Sequence, residues 1–357
     1  MTSLTLPLTT QAWRTKWRTG ELTNQHVLAF LVIAYVLAAI ALDPVAYWFV
    51  FSKKLLKVTN ALVVPFVIYT FIVSRGVLSG KHNSLIDAHR SLKLSLNPVI
   101  YYFTLFTLGL SAFTIFKLHI PIHMPFYLDH FFADLDKAIH GVDPWILTHS
   151  IPRFPFFDGV MHFIYSGIWF ISWFGTFVAV ALWKNREGRN RYMWGMALTT
   201  LICGSILATL LSSVGPIFYE RFYGDDRFAE LTDYLMQNWG MMSVYQMSTY
   251  LYSHYVADVT VLGGGISAMP SMHVAISVLN AWFLTSLGKR PAIAGWTFAA
   301  IIMFGSVYTG WHYALDGYLS FIVVTAIWFG VSYFVGPDRK SGIGQEKKAP
   351  AEQAPSV

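Results

Sequence analysis

The chain has 357 residues, of which 55% are hydrophobic, 17% aromatic and only 12% charged. Soluble domains carry about 25% charged residues, so water-soluble packing is excluded as the main organisation and a membrane protein is indicated. The net charge of +6 reflects short basic loops between apolar runs, which is a topology signal and not a nucleic-acid footprint.

The basic residues Arg14, Lys16 and Arg18 precede a first apolar run at His26–Leu42. Ala39-Ile40-Ala41 imitates a signal-peptidase site, but the polar leader is long and the run exceeds a usual signal core, so an uncleaved anchor is expected. Further spans are expected at Val58–Val73, Pro98–Phe116, Gly159–Trp183, Tyr192–Ser213, Ser271–Leu287, Ala292–Gly310 and Ala314–Val335. Each approaches the roughly 20 residues that cross about 30 Å of hydrocarbon. Only helices satisfy their own backbone there, so the fold class is all-α, a polytopic transmembrane bundle of about eight spans.

The linker Lys184–Arg191, with one lysine and three arginines, marks a cytoplasmic loop. Counting spans from it puts Lys289 and Arg290, the basic leader, the Arg75–Lys93 linker and Arg339 and Lys340 on the same side, whereas Lys53, Lys54 and Lys57 fall opposite. The opposite face receives two long segments, Lys117–Asp158 and Val214–Pro270. In the first, Tyr127, Phe131, Leu135 and Ile139 recur at helical spacing, interleaved with Asp129, Asp134, Asp136 and Lys137. Such a segment is either a helix lying in the headgroup layer or a small helix capping the bundle. Cys203 is the single cysteine, which excludes an internal disulfide and a Cys-rich metal site.

Two segments place titratable residues in otherwise apolar sequence. Gly263–Ala275 is a Gly/Pro loop leading into the sixth span, with Ser271 and His273 at the helix start. The free N–H groups of a first helical turn cradle phosphate, and Ser271 either caps that helix or donates to a phosphate oxygen. Gly305–Gly317 joins the seventh and eighth spans and carries His312 and Asp316, four apart and so on one helical face. A carboxylate in that position fixes the imidazole tautomer and aims the other nitrogen at an electrophile. Because the sixth span leaves the outer face and the seventh returns to it, His273 and His312 are expected at one depth. As acid and nucleophile they would split phosphoryl transfer through a phosphohistidine.

These segments resemble the second and third signature motifs of the type 2 phosphatidic acid phosphatase superfamily, a Pro-Ser-x-His block and a His-x-x-x-Asp block. Within it the chain is most similar to the branch containing inositol phosphorylceramide synthase: Ser271-Met272-His273 replaces Ser-Gly-His, Gly305-Ser306 replaces Ser-Arg, and Asp134–Pro144 is similar to that branch's preface to the core. The resemblance implies a six-helix catalytic core over residues 98–336, preceded by a leader and two accessory spans at 1–97; the composition of the tail at 337–357 is that of a disordered cytoplasmic segment. It implies His312 as nucleophile, Asp316 as its orienting partner and His273 as acid, with Ser271 and Met272 at the phosphate and no metal or cofactor. The family's first motif, a Lys and an Arg-Pro pair that grip phosphate, has no recognisable counterpart. Its expected place holds Ser213–Arg221, and the outer cations Arg221 and Arg227 are candidate substrate-binding replacements.

The resulting expectation is an integral-membrane lipid phosphotransferase with its site on the non-cytoplasmic face, periplasmic or extracellular in a bacterium and lumenal in a eukaryote. Its partners would be a membrane phospholipid donor and a lipid alcohol or water acceptor. A lipid phosphate phosphatase and an ion-coupled transporter are the alternatives, the latter without the inverted repeat such carriers often show. His162 reads as a packing or hydrogen-bonding residue, and the outer histidines His119, His123, His130, His140, His149 and His254 lack compact metal-ligand spacing.

Overall fold

A computed structural model describes residues 24–57, 59, 85–151, 154, 156–261 and 263–335, with the backbone alone described over 85–97. The expected span Val58–Val73 apart from Thr59, the leader before Asn24 and the tail after Val335 lie outside the described residues. Among those described, all regular structure is helical. The helices are α1 (Asn24–Leu42), α2 (residues 44–57), α3 (Leu85–His123), α4 (Asp129–His140), α5 (Pro144–His149), α6 (Phe157–Leu182), α7 (Arg186–Leu210), α8 (Tyr219–Tyr223), α9 (Ala229–Gln237), α10 (Met242–Val256), α11 (Met272–Leu287), α12 (Lys289–Tyr308) and α13 (Ala314–Val335).

Six of these, α1, α3 from Pro98, α6, α7, α12 and α13, are long and apolar enough to cross a bilayer, and α11 is a shorter apolar helix. The chain is an integral membrane protein built as a polytopic helical bundle. Two boundaries depart from the expectation. The helix α3 starts at Leu85, so part of the expected Arg75–Lys93 linker is helical. The basic linker Lys184–Arg191 is largely the first turns of α7, because Asn185 caps it, its side chain accepting from the N–H groups of Glu187 and Gly188 at 3.1 Å. Arg189 then donates to the Trp183 carbonyl at 2.8 Å, and the Arg191 guanidinium lies 3.9 Å over the Trp328 ring. Both arginines keep their charge at the bundle's end by stacking and hydrogen bonding to it.

The core divides into two apolar clusters. One runs along α1, α3, α6, α7, α11 and α12 through the bundle, and includes Trp169, Trp173, Phe177, Leu279 and Ile302. The second lies at one end, where the outer segments fold over the helix tips, and includes Phe132, Ile217, Phe218, Leu231, Tyr308 and Tyr313. The helices α11 and α13 start at that end while α3, α7 and α12 finish there, so it collects both motif segments. The basic starts of α7 and α12 lie at the opposite end.

The segment α4 buries two carboxylates beside Phe132 and Ala133. Its Asp129 and Asp136 are 0% and 1% exposed and face the protein, while Phe131 and Ile139 are 57% and 56% exposed and face outward. Seven residues apart, the two carboxylates share one helical face. They are buried because they accept hydrogen bonds from main chain that would otherwise be unpaired, as the site shows.

Candidate active site

Ser271 adopts extended backbone (φ −70°, ψ 111°) just before α11, and its Oγ accepts from the Val274 N–H at 3.5 Å, so the side chain caps the helix. Its own N–H donates to the Asp316 carbonyl at 3.3 Å. Ser320 Oγ lies 3.0 Å from the Ser271 carbonyl and 2.7 Å from that of Asp316, donating to this pair. The second and third motif segments are therefore joined through main chain, which holds the starts of α11 and α13 side by side.

His312 lies in the short connection before α13 and Asp316 in that helix's first turn. The His312 Nδ1 is 3.0 Å from Asp316 Oδ2, which also accepts from the Tyr313 N–H at 3.1 Å. The main-chain N–H of His312 donates to the Ser306 carbonyl at 3.2 Å. Asp316 is fully buried and His312 nearly so. With Nδ1–H donated to the carboxylate, the lone pair of His312 is left on Nε2. Burial, reinforced by the charge of Lys117 and opposed by the Ala268 carbonyl, pushes the His312 imidazole down to about 3. It is neutral at physiological pH, the form a nucleophile requires.

The His273 ring lies with its centroid 6.5 Å from that of His312. Reacting atoms in productive complexes sit about 3–3.5 Å apart, so this is the separation that one phosphorus centre between the rings would span. The His273 ring stacks on Tyr165 at 4.4 Å and 14°, and is 4.0 Å from the Trp169 ring, while Trp169 Nε1 donates to the His273 carbonyl at 2.9 Å. Tyr165 belongs to a π-helical turn of α6, Phe163–Ile168, and such turns often re-aim side chains at functional sites. Gly305 makes room for it, since a Cβ there would lie 3.0 Å from the Tyr165 ring.

Two carboxylates of α4 support this arrangement from outside the motifs. Asp129 accepts from the N–H groups of Val214 and Gly215 at 2.9 Å each and from the hydroxyls of Tyr223 and Tyr313 at 2.8 and 2.9 Å. The Ser213 carbonyl in turn accepts from the Ala268 N–H at 2.9 Å, tying the loop ahead of Ser271 to the end of α7. Asp136 accepts from Ala314 and Leu315 N–H at 2.6 and 3.1 Å, so it caps α13 in trans. Burial raises its carboxyl above the usual range, against the pull of those two donors.

The sequence candidates thus divide. His273, His312, Asp316 and Ser271 are gathered at one place. Met272 packs its sulfur towards Gly204 of α7. Arg221 donates to Thr249 Oγ1 at 3.0 Å, with its guanidinium 5.3 and 5.6 Å over the Tyr245 and Tyr252 rings. Arg227 pairs with Asp134 at 2.6 Å and Asp143 at 2.8 Å and donates to the Ala133 carbonyl. Among the described residues neither arginine bonds to the histidines. His162 lies 3.4 Å from Ser166 Oγ through Nδ1. Sequence reasoning did not single out Tyr165, Trp169, or Lys117, and it placed Asp129 and Asp136 on a polar helix face without assigning them to the site. Only Lys117 carried a signal, as an ionisable residue at the end of an apolar run.

A family model of the PAP2 superfamily matches residues 130–330, more than half of the chain and inclusive of both histidines and Asp316. The chain belongs to the PAP2 superfamily. Members are phosphatases and phosphotransferases, so the protein is an enzyme of that class, and membership suggests action on lipid phosphates. Comparison with curated proteins and with solved structures finds no match.

Proposed function

We propose that this PAP2 enzyme is a lipid phosphotransferase that moves a phosphoryl or phospho-headgroup from a membrane phospholipid to a lipid alcohol through a phosphohistidine on His312. The observation that carries the reading is the His312 Nδ1–Asp316 hydrogen bond with His273 6.5 Å across from the nucleophilic ring. In the first step His312 Nε2 forms a bond to phosphorus, the bond from phosphorus to the leaving oxygen breaks, and His273 gives its proton to that oxygen. In the second, the acceptor hydroxyl gives its proton to His273 and bonds to phosphorus, and the N–P bond breaks. An anionic phosphate between the rings favours the protonated form of His273, so substrate binding itself prepares the acid.

The basic starts of α7 and α12, at the end opposite the histidines, support a site on the non-cytoplasmic face. The choice of an alcohol over water as acceptor rests on the similarity of Ser271-Met272-His273 and Gly305-Ser306 to the inositol phosphorylceramide synthase branch. The test is incubation of purified protein with candidate phospholipids, with and without ceramide or another lipid alcohol, following phosphorus-containing products. A new phosphorylated lipid that forms only with the alcohol supports transfer, and its absence from a His312→Ala variant of unchanged elution profile supports the phosphohistidine. Free phosphate or headgroup phosphate regardless of alcohol makes the enzyme a phosphatase. Transfer at an undiminished rate by His312→Ala would overturn the nucleophile.

A further inference from the structure

The proposed nucleophile and acid leave open which cation, among the described residues, binds the phosphate itself. Arg221 and Arg227, the two cations suggested by sequence, are occupied by rings, a hydroxyl and carboxylates. A different cation lies against the loop that leads into His273. Lys117 lies in the last turns of α3, where its charge acts on both His273 and His312. Among the described residues its ammonium has no hydrogen bond and no carboxylate partner.

Its position follows from the glycine run that leads into the second motif. Gly265 has φ +87°, and a Cβ there would lie 2.9 Å from Lys117 Cγ and 3.1 Å from the Lys117 main chain. Only a residue without a side chain lets the motif loop lie directly on Lys117, and left-handed backbone at this point favours glycine independently. Gly265 is thus what lets a helix-borne lysine lie alongside the loop leading to His273.

A second lysine stands behind the first. Lys54 of α2 donates through Nζ to the Leu110 carbonyl at 2.5 Å and to Thr114 Oγ1, one turn before Lys117 on the same face of α3. The charge of Lys117 acts on Lys54. Two ammonium groups in an apolar setting, without a carboxylate partner among the described residues, are costly unless an anion joins them.

We propose that Lys117, with Lys54 behind it, is the phosphate clamp of this enzyme: its ammonium binds a non-bridging oxygen of the phosphate that sits between His273 and His312. The proposal rests on the phosphoryl-transfer reading of that site. Lysine suits the task as a compact point charge whose three donors rotate to follow the oxygens as the phosphorus inverts. Charge that grows on those oxygens in the transition state is stabilised by a cation already in place.

Binding of inorganic phosphate to full-length protein in detergent, read by isothermal titration, separates the clamp from the chemistry. Wild type and His312→Ala should both bind phosphate, whereas Lys117→Met should lose at least about tenfold in affinity in either background. Lys117→Arg should recover part of the loss, and Lys54→Met should show a smaller one, because Lys54 is already held by α3. In turnover assays Lys117→Met should lower kcat/KM by about 10²–10³-fold. Methionine is close in volume and removes a buried charge, so a monodisperse elution profile is expected for this variant. Unchanged phosphate affinity and unchanged kcat/KM in Lys117→Met would overturn the clamp while leaving the histidine mechanism standing. Lysine-dependent phosphate binding in a protein that forms no phosphorus product from any lipid would do the reverse, sinking the transfer reading and keeping the clamp.

Discussion

The two motif segments and the outer helix α4 solve opposite problems. Gly263–Ala275 and Gly305–Gly317 carry the proposed reacting groups but few side-chain bonds that would fix their mutual position beyond those Ser271 and Ser320 make to the Asp316 main chain. The outer helix carries no reacting group, yet its Asp129 and Asp136 hold four main-chain N–H groups and two tyrosine hydroxyls belonging to the ends of α7, α8 and α13. Chemistry and positioning are separated along the chain and reunited only in space. The price is two buried carboxylates, stable only while every one of their partners stays in place.

Three perturbations sharpen that contrast. Asp316→Asn touches the chemistry most directly: a misdirected His312 tautomer should lower kcat by about 10²–10⁴-fold with KM little changed. An unchanged kcat would make Asp316 a structural residue like those of α4. Asp129→Ala tests the positioning side. Each buried donor it strands costs about 1–3 kcal/mol, so thermal stability in detergent should fall clearly, with activity falling in parallel. Full stability would mean that the end of α7 holds its place without α4.

The smallest effect concerns pH. His312, at about 3 in the folded protein, lies below its ordinary value of 6.5, so between these values the unfolded chain binds the proton and the folded one does not. Stability contributed by neutral His312 is complete above about 6.5 and declines as pH falls towards 3. Melting temperatures between pH 7 and 4 should fall less steeply for His312→Gln than for wild type; equal slopes would show that His312 does not titrate out of register with the unfolded chain.

The bundle was legible in the sequence because hydrocarbon demands long apolar helices with internally paired backbone, a requirement written locally in each segment. The convergence of His273 with His312 was legible for the same reason, since alternating spans fix which helix ends share a face. The His312–Asp316 pair followed from helical spacing alone. Local pattern could not say which face of α4 turns inward. Phe131 and Ile139 point outward while Asp129 and Asp136 turn inward beside Phe132 and Ala133, because these two acids answer unpaired N–H groups roughly 80 to 180 residues away in the chain. The same holds for Tyr165 and Trp169 around His273 and for Lys117 against Gly265. Spacing along one chain segment fixes what that segment exposes on each face; only the packed structure decides which distant group meets it.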